Sequence, residues 1–192
     1  MPEQKKTDKE TTQSILTKPV FFVGFMGAGK TSVSRRIARN AHIASIDADA
    51  YLERREGKKI SAIFSESGED FFRDLETDVL NELAHKDPLL ISCGGGVVLR
   101  PENRKILSEH GFVVYLMVSA DEAAVRIKDA SSRPLFKTIE NARATNDARI
   151  PLYHETADIA IETMGKSIGR IAQEITEVLR KEGILCQVQK SS

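Results

Sequence analysis

The chain has 192 residues, 28 basic and 28 acidic side chains, and 41% hydrophobic residues. That length fits one domain with a full core, and a zero formal net charge argues against general binding to nucleic acid or a membrane surface, which needs a basic excess. No apolar run approaches the ~18 residues of a transmembrane helix, and the opening stretch MPEQKKTDKETTQSILTK lacks the apolar core of a secretory signal.

Residues 1–18 read as a polar, disordered tail, and residues 186–192 as a short C-terminal tail. In between, apolar runs alternate with helical patterns. VFFVGF (20–25) is expected as a buried strand, followed by a helix over 30–40. HIASID (42–47) is a second strand. ISAIFSESG and EDFFRDLETDVLNELAHK carry apolar residues at helical spacing, with Gly68 as a stop between them. LLISC (89–93) is a third strand, and Pro101 opens a helix that ends near Gly111. FVVYLMV (112–118) is a fourth strand, with Ser119 capping the helix that begins at Asp121. A polar stretch over 129–138 interrupts the pattern; then come a helix, a short strand ADIAIE (157–162) and an amphipathic helix over 167–181. The alternation predicts an α/β fold of three layers, α/β/α, around a five-stranded parallel sheet. Such sheets bind ligands at the carboxyl ends of their strands, so chemistry is expected just after each strand.

After the first strand comes GFMGAGKT, Gly24 to Thr31, which fits G-x-x-x-x-G-K-[ST]. Glycines let consecutive backbone N–H groups turn inward onto phosphate oxygens, and the following helix presents its positive end to the same anion. Gly27, Ala28, Gly29, Lys30, Thr31 and Ser32 are therefore the candidate ATP-binding residues, with Lys30 reaching the β- and γ-phosphates and the Thr31 hydroxyl helping to hold Mg2+. No N-K-x-D guanine-reading motif occurs, which favours ATP over GTP.

The acceptor side is less direct. Asp47 and Asp49 flank one residue at a strand end; in an extended chain they would face the same way, one positioning Mg2+ through water and the other taking a hydroxyl proton. A turn or helix cap is the plain alternative for the pair. Arg73 and Glu76 lie three apart on one helix, the spacing of a surface ion pair, but the neighbouring Phe71 and Phe72 point to partial burial. Arg133 falls in the polar stretch and Arg149 just before an apolar PLY; several arginines around a phosphate loop would serve phosphoryl transfer, which rewards positive charge near the moving group. Gly94, Gly95 and Gly96 end the third strand, where an acid often serves the metal; their missing side chains would let the backbone approach a compact ligand. Cys93 and Cys186 show no metal-ligand spacing and read as free thiols of a reduced cytosolic protein.

The stretches GFMGAGKT, DADAYLERREGKKISAIFSESGEDFFRDLE, ISCGGGVV, SSRPLF and ARIPLYHETAD, spread from about residue 20 to 165, together resemble the shikimate kinase family. The phosphate loop is common to many kinases; the D-x-D, F-R-x-x-E, G-G-G and R-x-P-L-Y set is specific. The resemblance implies an ATP-dependent, Mg2+-using kinase that phosphorylates the 3-hydroxyl of shikimate in aromatic amino acid biosynthesis. It implies Asp49 as general base, Asp47 with Thr31 at the metal, Arg73 and Arg149 on the shikimate carboxylate, and Gly94–Gly96 lining the substrate pocket. Arg133 matches a lid arginine, and Arg126 and Pro134 match positions near the adenine. A single kinase domain over 19–185 is expected, with its substrate region at 47–75 and a lid at about 129–145 that carries little family signature. The expected partners are ATP and shikimate, in a cytoplasmic monomer without nucleic acid or membrane. Two alternatives stay open at this point: a kinase of the same fold acting on a nucleotide or sugar acid, and a regulatory nucleotide-binding protein without turnover.

Overall fold

In the computed structural model, which describes residues 12–127 and 138–189, all five expected strands lie side by side in one parallel sheet. In chain order the elements are β1 (Thr12–Leu16), β2 (Val20–Val23), α1 (Lys30–Ala41), β3 (Ser45–Asp47), α2 (Ala48–Glu56) and α3 (Ile60–Ala84). Then follow β4 (Leu90–Ser92), a short 3-10 turn (Val97–Leu99), α4 (Pro101–His110), β5 (Phe112–Met117) and α5 (Ala120–Arg126). The chain closes with α6 (Ile139–Thr156), β6 (Ile159–Glu162), α7 (Ile168–Lys181) and β7 (Leu185–Gln189). The large sheet has the order β3-β4-β2-β5-β6. The chain leaves β2 toward one edge and β5 toward the other, which opens a crevice at the carboxyl ends between them.

Both faces of the sheet are covered at its three central strands, which read as continuous buried runs rather than alternating ones, whereas edge strand β3 is half-buried and edge strand β6 has two exposed residues. Val20 and Phe22 of β2 join Leu90, Val114 and Leu116 in a core with Val33 and Ile37 of α1 and Ile171, Ile175 and Leu179 of α7. Phe21 and Val23 point the opposite way, with Ile91, Val113 and Tyr115, onto Val79, Leu80 and Leu83 of α3, Leu107 of α4 and Tyr153 of α6. Each large side chain buried this way contributes roughly 1.5–3 kcal/mol, so the sheet is the rigid platform for the loops at its carboxyl edge.

Several expected ends move. His42 takes a left-handed conformation (φ 55°) at the end of α1, so the second strand starts at Ser45 rather than residue 42. Gly68 does separate two helical stretches, as expected: its φ of 83° and ψ of 175° break the path of α3 into two helices across a kink. Residues 139–145 of the expected lid are the first turns of α6, capped by the Thr138 hydroxyl, which accepts from the Asn141 N–H at 3.2 Å.

The tails also need correction. Thr12–Leu16 and Leu185–Gln189 pair as an antiparallel ribbon, with Leu16 opposite Leu185 and Ile15 opposite Cys186. Leu16, Ile184 and Leu185 are buried and anchor it to the α1–α7 core. A polar composition conceals such a strand, because its partner lies at the other end of the chain. Both cysteines are free. No described helix is long and apolar enough to cross a membrane.

Candidate active site

The loop between β2 and α1 is shaped by three glycines with positive φ: Gly24 (137°), Gly27 (77°) and Gly29 (92°). A Cβ at Gly24 would lie 2.5 Å from the Leu116 carbonyl oxygen, so the loop leaves β2 pressed against the end of β5. Gly29 starts α1 without any side-chain cap, which leaves the positive end of the helix facing the cleft. The Lys30 ammonium curls back over this loop and donates to the Gly24 and Phe25 carbonyls at 2.7 and 3.0 Å. Ala28 is fully buried behind the loop, whereas Ser32 is exposed on its rim.

Asp47 and Ser92 are register partners at the carboxyl ends of β3 and β4. Adjacent strands lie about 4.8 Å apart, so both side chains reach the same point. The Thr31 hydroxyl meets them there: it donates to Asp47 Oδ2 at 2.7 Å and lies 3.0 Å from Ser92 Oγ. Asp47 also caps α2, its Oδ1 accepting from the Ala50 N–H at 3.0 Å. The plain cap reading of the D-x-D pair is therefore true of Asp47, and the cap is what fixes the orientation of its other oxygen. The extended-chain argument for Asp49 does not hold, because α2 begins at Ala48 and places Asp49 in its first turn.

The helix nevertheless aims Asp49 at the glycine segment. A Cβ at Gly94 would sit 2.7 Å from Asp49 Oδ1 and 2.9 Å from Glu76 Oε1. One at Gly96 would sit 2.2 Å from Arg73 Nη1. A Cβ at Gly95 would find only ordinary contacts, 3.5 Å or more away. The glycines thus make room for the protein's own charged side chains, a reason beyond the backbone approach expected from sequence.

Arg73 and Glu76 are no surface pair. Their side chains are 11% and 8% exposed, with Arg73 Nη1 donating to Glu76 Oε2 at 2.7 Å. Burial raises the Glu76 pKa, and the pull of Arg73, Arg149 and Arg100 in the other direction only partly offsets it. Burial also works against the charge on Arg73, but Glu76 and Glu69 outweigh it and the guanidinium stays charged. Arg149, buried on α6, donates to the Gly95 carbonyl at 3.2 Å, and the Tyr153 hydroxyl one turn later donates to the same oxygen at 2.5 Å. Burial, opposed by Arg149, raises the Tyr153 pKa, so its phenol stays a neutral donor. Burial likewise raises the Cys93 pKa and keeps that thiol protonated.

One open cleft of about 850 Å³ is lined by Gly27, Gly29, Lys30, Thr31, Ser32, Asp47, Asp49, Ser92, Gly94, Gly95, Arg126 and Lys166 among others, while Arg73, Glu76 and Arg149 adjoin its glycine segment without lining it. Arg126 forms its wall: it donates to the Thr163 hydroxyl at 3.1 Å and carbonyl at 3.0 Å, to the Gly27 carbonyl at 3.5 Å, and to Glu122. Arg133 and Pro134, the expected lid arginine and its neighbour, lie outside the described residues.

Ser92, Tyr153 and Lys166 were not singled out from sequence. Ser92 was hidden by attention to the glycines beside it, although its place at a strand end was readable. Tyr153 lies four residues after Arg149 and thus on the same helix face, a signal that was available in ARIPLYHETAD. Lys166 comes from the loop after the fifth strand of the sheet and carries no motif.

Comparison with known proteins identifies the family. A family model for shikimate kinase matches residues 26–180. A shikimate kinase of Cupriavidus pinatubonensis is 41% identical over 167 residues, covering 85% of this chain and 87% of the relative. One from Ralstonia nicotianae is 40% identical over 177 residues, covering 90% and 93%. Among solved structures, the shikimate kinase of Acinetobacter baumannii in complex with shikimate superposes with a TM-score of 0.82 at 35% identity, over 86% of this chain and 94% of that one. With the matched segment running from the phosphate loop through α6 and into α7, the chain belongs to the shikimate kinase family, whose members are ATP-dependent kinases.

Proposed function

We propose that this chain transfers the γ-phosphate of ATP to the 3-hydroxyl of shikimate, giving shikimate 3-phosphate and ADP. The observation that carries the reading is the convergence of Asp49, Glu76 and Arg73 on the three-glycine segment, of which Gly94 and Gly95 line the phosphate-loop cleft together with Asp49. The acceptor's identity draws on the family and on the shikimate bound by the Acinetobacter baumannii relative.

ATP lies with its phosphates on Gly27–Ser32, whose backbone and helix end receive them, while Lys30 leaves its loop carbonyls for the β- and γ-phosphates. Arg126 and Pro134 flank the adenine. Thr31 and Asp47 hold the metal corner. Its donors are one carboxylate and two hydroxyls, hard oxygens too few for an all-protein cage, which suits Mg2+ that keeps water and phosphate ligands. When bound, Mg2+ supplies neutralisation of charge on the phosphate oxygens. Shikimate sits between α2, α3 and Gly94–Gly96, its carboxylate on Arg73 and Arg149, because planar guanidinium groups match a carboxylate. Asp49 accepts the proton of the 3-hydroxyl as its oxygen attacks phosphorus; the bond to the ADP oxygen breaks and ADP leaves. Arg133 closes over the transferring group and helps to exclude water, which would otherwise act as the acceptor. The working state is a cytoplasmic monomer.

ADP release in Mg2+ and ATP, measured with shikimate, quinate or AMP, tests the reading. A large rise with shikimate alone is expected. A rise only with another acceptor would overturn the acceptor assignment, and ATP binding with no rise at all would favour a regulatory protein.

A further inference from the structure

A guanidinium reads a carboxylate through paired N–H groups. In this structure every nitrogen of the Arg73 guanidinium already donates to a carboxylate. Nη1 donates to Glu76 Oε2 at 2.7 Å; Nη2 and Nε donate to Glu69 Oε1 at 3.0 and 3.3 Å. Three of its five N–H groups are thereby engaged, and a carboxylate arriving for any of these competes with one of the two glutamates. They are unequal. The Glu76 side chain is 8% exposed and walled in by the glycine segment, whereas that of Glu69 is 61% exposed. Glu69 is also the first residue after Gly68, where the helical path breaks and where a Cβ would meet nothing within 4 Å. It can swing into water at little cost, and Glu76 cannot.

We propose that Glu69 is a placeholder carboxylate: it occupies the Nε–Nη2 edge of Arg73 while the site is empty and yields that edge to the carboxylate of the substrate. This rests on the assignment of Arg73 to the substrate carboxylate. Glu69 keeps the guanidinium in its recognition geometry and charge-balanced, and it competes with the ligand for it. Glu69 is thereby a positioning residue that sets substrate affinity without touching the reacting atoms.

The test is a cycle of Glu69→Gln, Arg73→Ala and the double variant, with KM and kcat for shikimate measured at saturating MgATP. The Glu69 end of the pair is open to solvent, which weakens it, so Glu69→Gln is expected to lower KM by roughly two- to fivefold, with the gain in KM rather than kcat. In the Arg73→Ala background the same change is expected to do nothing. An unchanged or raised KM in Glu69→Gln, with Arg73→Ala raising it strongly, overturns the placeholder and leaves Arg73 on the substrate. A gain that persists without Arg73 also overturns it, because the effect is then a general field of the acidic side chain. An Arg73→Ala variant with normal KM overturns the carboxylate assignment itself.

Discussion

The two halves of the proposed site, nucleotide and acceptor, are built by different means. The nucleotide half is one continuous segment, Gly24 to Ser32, in which backbone conformation and a helix end do most of the work. The acceptor half is assembled from side chains on α2, α3, the glycine segment and α6, with Asp49, Glu76, Arg73 and Arg149 all held by neighbours in space. Apart from its three positive-φ glycines, a site made of backbone tolerates many substitutions around it. A cluster of buried charges does not, since removing one partner leaves another uncompensated. The nucleotide half should therefore be robust and generic, and the acceptor half specific and fragile.

The largest expected break between the halves comes from Asp49→Asn. Turnover should fall by roughly 10²–10⁴-fold, the usual worth of a general base, while ATP affinity measured by titration stays near normal. Near-normal turnover would remove Asp49 as the base. Next is Arg149→Ala, expected to weaken shikimate binding by roughly 2–5 kcal/mol, again with ATP affinity little changed. An unaltered shikimate affinity in a folded variant would take Arg149 out of the acceptor half.

The glycine segment sharpens the comparison further, because its members are unequal. Gly96→Ala forces a methyl into the space of the Arg73 guanidinium, and Gly94→Ala into that of Asp49 and Glu76. Each is expected to cost about 1–3 kcal/mol in acceptor binding or stability. Gly95→Ala meets only ordinary contacts and should be the mildest. Shikimate KM for the three alanine variants, with melting temperature as a control, checks the ranking; equal effects would mean that the side-chain clashes do not govern the segment.

The smallest effect is a pH slope. Burial raises the folded-state pKa of Glu76 above its ordinary 4.5. The folded state then binds that proton more tightly than the unfolded chain does. This contribution to stability is fully present below about 4.5 and is lost as pH rises through the raised folded pKa. The difference in melting temperature, Glu76→Gln minus the native chain, should therefore grow in favour of the variant over that window and then level off. A difference that is flat from pH 4 upward would mean that the Arg73 partner holds Glu76 at its ordinary pKa.

What could be read without coordinates was whatever depends on neighbours in the chain. The phosphate loop is eight consecutive residues, and the five strands of the sheet, the central three of them buried, are short runs bounded by helices. Local periodicity and glycine chemistry are enough to place them. Asp47 and Asp49 were legible as candidates, but a helix begins between them: Asp47 is oriented as the cap of α2, and Asp49 by its place in the first turn.

What only the tertiary structure decided was which distant segments meet, and hence how the charges are satisfied. The ribbon of Thr12–Leu16 with Leu185–Gln189 joins the two ends of the chain, and no local signal marks either strand. The burial of Arg73 and Glu76, the reach of Asp49 to Gly94, and the hold of Arg149 and Tyr153 on the Gly95 carbonyl all arise from packing between elements far apart in sequence. Residue types can be read one at a time, but burial and ion pairing are properties of neighbours in space. For that reason the nucleotide half of the proposed site was written in the sequence, and the acceptor half was completed only by the fold.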